Sequence, residues 1–473
     1  MVPTITPTMA PTEFGWVPMG NEIVAPQHEI NLSGDGFGAN VLLSNDGRRV
    51  VVTAPGYEDF TGWVRAYQYA MAPRSMDPQN CTYPIPTTVS AKDADDLVGI
   101  WIPLGNPMIG DEPGDAKGMS TFFSGDGSTI TIGFPAKGKG YVKVYRFDST
   151  VKLENDRGKG DWIQLGPTLH GEIHEERYGS AVSTTNDGNS LIVGSPGYSH
   201  FHEGKLLEAS GRVTVYDFDG KHWIQLGSSV AGLETQGHFG TSVCMAENRR
   251  NFVVGAPDEM SSAGALYTFV YRQDIEKLKP LIAEDSLLSL DDSNEQSNHD
   301  DDDAFQGILR VSWKNKFEHL GSKIACDQEA LNALVNQKDK DQIFILPLDT
   351  SAFIRYSEIK PEGIERGNFN GNSFDFSSDG TITVSSTRNF DGLVGQVVTV
   401  IPKSFYNVAK GQVLGGEEVL GMDHWINGGP SVSLSKDGEV LAMGLESVLR
   451  TDGRSQSLVR IYSFGTRSSS TVV

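Results

Sequence analysis

The sequence predicts an all-β fold: a seven-bladed β-propeller of four-stranded antiparallel blades, closed by its N-terminal strand. Three observations carry this reading. A glycine frame recurs along the 473 residues, the full recurrences contain four short apolar runs, and the last one ends one run short.

The frame is visible by counting. Gly118, Gly179 and Gly240 follow one another at 61-residue intervals (179 − 118 and 240 − 179), and a period above about 20 residues marks a repeat architecture. Within a copy, a glycine is followed nine residues later by a turn glycine and eight after that by a proline: Gly38, Gly47, Pro55; Gly118, Gly127, Pro135; Gly179, Gly188, Pro196. Gly240 and Pro257 keep the outer spacing with Arg249 at the turn, while Gly371 with Gly380 and Gly429 with Gly438 keep the first interval. Gly321, Ala330 and Lys338 fit the ruler without its residue types, so the fifth copy is the weak one. There "FEHLGSKI" from Phe317 reads as a fourth strand, yet Gly321 also stands where a first strand should open.

Each copy resolves into strands in order. In "VLLSNDGRRVVVTAP" the runs from Val41 and Val50 are apolar, β-branched and too short for helices, and Asn-Asp-Gly between them supplies the turn of a hairpin. "SGDG" at Ser124, "TNDG" at Thr185, "SSDG" at Ser377 and "SKDG" at Ser435 repeat that turn. A third run follows, as in "GWVRAYQY" from Gly62, "GYVKVYRF" from Gly140 and "GRVTVYDF" from Gly211, alternating in the manner of a half-buried strand. A fourth begins with tryptophan: "WIPLG" at Trp101 and "WIQLG" at Trp162 and Trp223. Four antiparallel strands per repeat is the content of a propeller blade. The seventh copy stops at Phe464 after its third run, and the missing fourth, "WVPMGNEIV", stands at Trp16 to Val24. The propeller is therefore expected over residues 16–464, flanked by a Pro/Thr-rich linker (1–15) and a flexible tail (465–473).

Two insertions interrupt the pattern. Residues 71–99 carry Pro73, Pro78, Pro84 and Pro86 and read as an irregular loop, and the acidic stretch 283–304, with Asp300 to Asp303 in a row, reads as a disordered one. Three cysteines are too few for a disulfide scaffold. Strand alternation places Cys244 and Cys326 on opposite faces, which argues against a bond between them.

The aromatic-glycine pairs Phe37-Gly38, Tyr178-Gly179 and Phe239-Gly240, with "TAP" at Thr53, "GSP" at Gly194 and "GAP" at Gly255, resemble the FG-GAP repeat of integrin α-subunit propellers. The variant is similar to repeats in extracellular proteins of diatoms and marine bacteria. The resemblance implies a propeller scaffold, an extracellular or cell-surface location and a role in adhesion. Integrin-type propellers often place calcium in the loop between the first two strands. Here each turn holds one carboxylate, Asp46, Asp126, Asp187, Asp379 or Asp437, which falls short of an oxygen cage, so no metal or other cofactor is expected.

Composition narrows the partners. A formal net charge of −22 argues against nucleic acid and anionic membranes. No apolar run approaches the roughly 20 residues of a transmembrane segment. The start, "MVPTITPTMAPTE", is a Pro-Thr tract rather than a signal peptide. No nucleophile elbow or phosphate-binding glycine loop stands in a supporting context. His170 and His174 flank Glu172, and His200 with His202 follow on a loop of the same rim. A four-histidine metal cluster weighs less than solvent-exposed histidines there, because no ligand spacing is fixed. Trp101, Trp162 and Trp223 keep one place in the frame, which suits blade packing better than sugar stacking.

Function is expected in the loops, since a repeated scaffold holds variable loops that bind. One face gathers Tyr57, Asp59, Lys137, Lys139, Tyr198, His200, Phe201, His202, Asp258, Glu259, Phe390, Asp391, Arg450, Asp452 and Arg454. Mixed aromatic and charged groups suit a protein or glycan partner. The first expectation is a non-catalytic recognition propeller, without catalytic residues. The second is a propeller hydrolase or lyase acting on polysaccharide at the mouth of its channel.

Overall fold

The computed structural model describes residues 14–25, 35–78, 97–115, 117–136, 138–152, 159–247, 249, 251–271, 305–311, 320–326, 332–337, 342–347, 357–358, 373–377, 383–388, 395–400, 402–404, 407–408, 413–415, 431–449 and 455–466. The acidic stretch 283–304 lies outside them.

The described residues form an all-β molecule, a series of antiparallel four-stranded sheets numbered here sheet 1 to sheet 7 in chain order. Sheet 1 is built from Val41–Leu43, Arg49–Ala54, Trp63–Pro73 and Leu97–Ile109; sheet 2 from Ser120–Phe123, Thr129–Phe134, Tyr141–Lys152 and Lys159–Gln164; sheet 3 from Ala181–Thr184, Ser190–Ser195, Arg212–Phe218 and Trp223–Gln225. Sheet 4 joins Ser242–Met245, Asn251–Ala256, Ala265–Tyr271 and Phe305–Val311, and sheet 5 opens on Leu320–Cys326. Gly321 therefore begins a first strand, and the fourth strand of sheet 4 is Phe305–Val311. Sheet 6 holds Phe374–Phe376, Thr383–Arg388, Gly395–Val400 and Val413–Gly415. Sheet 7 holds Ser431–Leu434, Val440–Leu449 and Ser455–Thr466, and its outermost strand is the N-terminal Phe14–Pro18, in register Trp16 to Phe464 and Phe14 to Thr466.

The second strand of each well-described sheet is buried on both faces, which is why "RVVVTA", "TITIGF", "SLIVGS" and "NFVVGA" are runs rather than alternations. The turn aspartates are consumed locally. Asp46 accepts from the Ser44 hydroxyl at 2.6 Å and the Arg48 backbone N–H at 3.0 Å, and Asp126, Asp187 and Asp437 do the same in their own turns.

The core sits between successive sheets. One apolar cluster joins Phe123, Ile130 and Trp162 of sheet 2 to Val51, Val64 and Leu104 of sheet 1; another joins Val440, Ala442 and Ile461 of sheet 7 to Val41, Val50 and Trp63 of sheet 1. Two devices set the spacing. The glycine opening each third strand, Gly62, Gly140, Gly211 or Gly264, bridges in parallel to Lys117, Tyr178, Phe239 or Leu320 of the next sheet. A Cβ on Gly211 would lie 2.0 Å from the Phe239 carbonyl oxygen, so only glycine permits this approach. The second device is the tryptophan motif. Trp162 Nε1 donates to the Leu104 carbonyl at 2.8 Å and Trp223 Nε1 to Leu165 at 3.0 Å, and the glycine after each acceptor leaves room for the indole edge. Between sheets 4 and 5, the Ser242 hydroxyl donates to the Gly321 carbonyl at 2.6 Å; between sheets 7 and 1, Ser431 donates to Gly38 at the same distance.

One expectation is corrected. The loop insertion at 71–99 starts and ends as strand, with Met71, Ala72 and Pro73 paired to Gly99, Val98 and Leu97, because Ala72, Ile100 and Ile102 make a small apolar cluster there that sustains the ladder. Residues 79–96 lie outside the described ones. Cys244 is disulfide-bonded.

Candidate functional site

The connection after each second strand and the one into each first strand lie at the same end of the sheets. Met119, Ser180, Thr241 and Ser322, each following its frame glycine, converge there from four consecutive sheets with Pro135, Pro196 and Pro257. They line a depression of ≈ 350 Å³ that also contains Arg177, His238 and Asp258. A second cavity of ≈ 800 Å³ adjoins it, sharing Pro135, Arg177 and His238 and adding His174, Glu175 and Leu206 among its walls.

Arg177 and His238 precede the aromatic-glycine pair of their copies, where sheet 1 has Gly36. All three are left-handed, with φ of 67° at Gly36, 58° at Arg177 and 51° at His238. Glycine takes that conformation freely, whereas other residues lose about 1–2 kcal/mol. Hydroxyls staple both exceptions: Ser180 Oγ donates to the Arg177 carbonyl at 2.8 Å and Thr241 Oγ1 to the His238 carbonyl at 2.7 Å. His238 Nδ1 lies 2.6 Å from Asp258 Oδ2, which fixes the ring orientation.

Beside the larger cavity a hairpin projects from sheet 3. His200–His202 pairs with Lys205–Leu207 across Glu203 and Gly204, both at positive φ, as a two-residue hairpin turn requires. Phe201 and Leu206 face each other across it, 73% and 42% exposed. The root is fixed. His200 Nδ1 is 3.1 Å from Ser210 Oγ, Tyr198 stacks on the His200 ring, and the Arg212 guanidinium sits 4.0 Å from the Tyr198 ring centroid. Burial, followed by the neighbouring His202, holds His200 below its usual pKa. Arg212 is itself anchored by Glu172 at 2.9 Å and by the fully buried Glu176 at 3.2 Å. Burial opposes the Arg212 charge, but these two carboxylates outweigh it and raise its pKa.

A further ionisable group is buried in sheet 2. Lys117 occupies the place held by Phe37, Tyr178, Phe239 and Leu320 in other copies, and is 2% exposed. Its ammonium donates to the Ile109 carbonyl at 3.1 Å and lies 5.0 Å from the Tyr145 ring centroid. Burial, then the Lys143 charge, lowers its pKa to about 8.

Of the residues expected on this face, Asp59, Lys139, Phe201 and His202 are exposed, and Tyr198, His200 and Asp258 are half-buried. Tyr57 and Glu259 are interior, at 5% and 1% exposure; Glu259 accepts from the Tyr267 hydroxyl and fills the space left by Gly237. Lys137, Phe390, Asp391, Arg450, Asp452 and Arg454 lie outside the described residues. The four histidines do not assemble: His170 packs on Tyr141, His174 lines the larger cavity, and among the described residues no three His, Cys, Asp or Glu side chains form a metal-sized group. Arg177, His238 and Lys117 were not anticipated. The 61-residue frame carried the signal for the first two, since 238 − 177 is one repeat.

The class these features define is an all-β repeat protein with its loops and cavities at one end of the sheets. No family model matches the sequence, and no curated protein matches it. The FG-GAP resemblance is thus carried by the repeat phrase alone. Among solved structures, the chain is similar to the periplasmic gluconolactonase PpgL of Pseudomonas aeruginosa, 14% identical over 79% of this chain and 84% of that one, with a TM-score of 0.43. It is also similar to a protein of Desulfotomaculum acetoxidans described as functionally unknown (11% identical, 89% and 93% covered, TM-score 0.43) and to hydrazine synthase of Kuenenia stuttgartiensis (9% identical, 91% and 97% covered, TM-score 0.47). Likenesses this distant assign no activity to the chain. No helix among the described residues is long and apolar enough to cross a membrane.

Proposed function

We propose that the chain is a seven-bladed propeller, closed by its N-terminal strand, that recognises a protein or glycan partner outside the cell or at its surface through the His200–Leu207 hairpin. Ring closure is supported by the pairing of Phe14–Pro18 with Ser455–Thr466 and by the Ser431 to Gly38 bond between the last and first sheets. The observation that carries recognition is the exposure of Phe201, 73%, on a hairpin whose root is fixed by Tyr198, His200 and Arg212. An exposed aromatic held by a rigid support loses little entropy on binding, which is what an interface anchor needs. Asp59 and Lys139 on the same face supply the polar rim.

The test is binding to a glycan array and to surface proteins of the native source, comparing the natural chain with Phe201→Ser and, at the opposite turns, Arg48→Ala. Loss of binding with Phe201→Ser alone supports the reading; loss with Arg48→Ala alone moves the site to the other end. A second reading, a hydrolase or lyase on polysaccharide at the depression, is favoured by the His238–Asp258 pair, the arrangement of an oriented general base. Release of reducing or unsaturated ends from polysaccharide, abolished by His238→Asn, would establish it.

A further inference from the structure

The smaller depression has an electrostatic character at odds with the rest of this acidic chain. Its only carboxylate among the described residues is Asp258, already hydrogen-bonded to His238 Nδ1. Glu175 and Glu208 line the adjoining larger cavity, whose walls Arg177 and His238 also share. Neither the Arg177 guanidinium nor His238 Nε2 has a hydrogen-bond or ion-pair partner among the described residues, although the net charge is −22. Both side chains come from the same frame position in adjacent sheets, and both backbones are held left-handed by a serine or threonine three residues on. The remaining wall is made of hydroxyl residues, Ser180 and Thr241 among them, of Pro135, Pro196 and Pro257, and of Met119.

We infer that Arg177 and His238 together hold one anionic group, a carboxylate or a phosphate, of a hydroxylated ligand of monosaccharide size bound in this depression. The guanidinium supplies paired N–H donors for two oxygens of the anion, and His238, its Nδ1–H held by Asp258, donates a third contact from Nε2 in its doubly protonated form. The proline rings meet the apolar edges of the ligand and the hydroxyls meet its own. A volume of ≈ 350 Å³ falls within the range of small-molecule sites and matches that size. This site is independent of the hairpin: a ligand could occupy it whether or not Phe201 meets a partner.

The experiment is calorimetric titration of the full chain with glucuronate, glucose 6-phosphate and glucose, repeated on Arg177→Asn, His238→Asn and the double variant. Asparagine tolerates the left-handed backbone better than most residues, so these changes remove the donors and keep the loop; an unaltered melting temperature of the unliganded variants verifies that. At least one anionic probe should bind while glucose does not, and each single variant should weaken it about tenfold, as loss of a charge-assisted hydrogen bond does. Binding of glucuronate alone identifies a carboxylate as the recognised group, and of glucose 6-phosphate alone a phosphate. Equal binding of glucose, undiminished binding to the double variant, or no binding of either anionic probe overturns the assignment. None of these results depends on Phe201, so the hairpin reading stands or falls separately.

Discussion

The indole N–H of Trp101 donates to the carbonyl oxygen of Met19 at 2.8 Å, across 82 residues of chain. Met19 stands three residues after Trp16, as Leu104 does after Trp101 and Leu165 after Trp162, and those two carbonyls accept from Trp162 and Trp223. The N-terminal strand therefore occupies the same place relative to sheet 1 that the fourth strand of sheet 1 occupies relative to sheet 2.

A chain beginning at Gln27 should consequently melt far lower than the full chain or aggregate through the open edge of Ser455–Thr466. It loses that strand pairing, the Trp101 bond and the burial of Trp16, which is 3% exposed. Truncating one large buried aromatic alone costs about 3–5 kcal/mol. Trp101→Phe, which loses only the donor and part of the ring, should cost less than the truncation. Thermal unfolding followed by circular dichroism separates the cases, and unchanged melting of the Gln27 chain would remove the support for closure.

Gly204 and Gly211 make a controlled pair. Both have positive φ, 76° and 86°, but a Cβ on Gly204 meets nothing within 4 Å whereas one on Gly211 lies 2.0 Å from the Phe239 carbonyl oxygen. Gly204→Ala should cost about 1–2 kcal/mol, the left-handed penalty alone. Gly211→Ala should cost clearly more, because two sheets must separate. Urea titration of both variants tests the difference.

Arg212→Met should be strongly destabilising, by about 3–5 kcal/mol, since it strands the fully buried Glu176 carboxylate. Adding Glu176→Gln should recover part of the loss. A double variant no better than Arg212→Met would mean that stacking on Tyr198, rather than charge pairing, is what Arg212 contributes.

Lys117 has a pKa of about 8 in the folded chain against 10.5 for an ordinary lysine, burial being the largest cause. Between those values the unfolded chain binds more protons, so this group makes stability rise with pH across that window. The full difference amounts to about 3 kcal/mol. Lys117→Met should remove the rise and be more stable than the natural chain at pH 7. Tyr145, raised to about 12 by burial and then by Asp111, acts oppositely above pH 10, where the folded chain holds its proton longer. Denaturation curves at pH 7, 8.5 and 10 should show the natural chain gaining on the variant; parallel behaviour would mean that Lys117 is not desolvated in the folded chain.

The scaffold was legible because it is periodic. Trp101, Trp162 and Trp223 recur in fixed places, and a recurring large residue marks a seam whatever its detailed contacts. The close approach of Gly211 to Phe239 was not legible, since a glycine announces a missing side chain without saying what fills the space. Burial inside polar runs was hidden too: Glu259 looks like a surface acid until Tyr267 and Gly237 are seen to enclose it. Phe201 and His202 stood out because their loop departs from the repeat. Arg177 and His238 stayed unnoticed for the opposite reason, lying within the repeat at a position whose backbone conformation only the fold displays.

The strand Phe14–Pro18 has one more property. Hydrogen bonds and the packing of Trp16 join it to sheet 7, while the covalent chain ties it to Val41 and the start of sheet 1. None of those bonds records which molecule supplied the strand. A second copy offers the same tryptophan and the same carbonyl, so two molecules exchanging first strands would keep the described contacts of Phe14–Pro18. What favours the monomer is the tether between Val24 and Val41, which keeps its own strand at an effective concentration on the order of millimolar. Dilute protein should stay monomeric, and refolding at very high concentration should trap exchanged dimers that return to monomers only by unfolding.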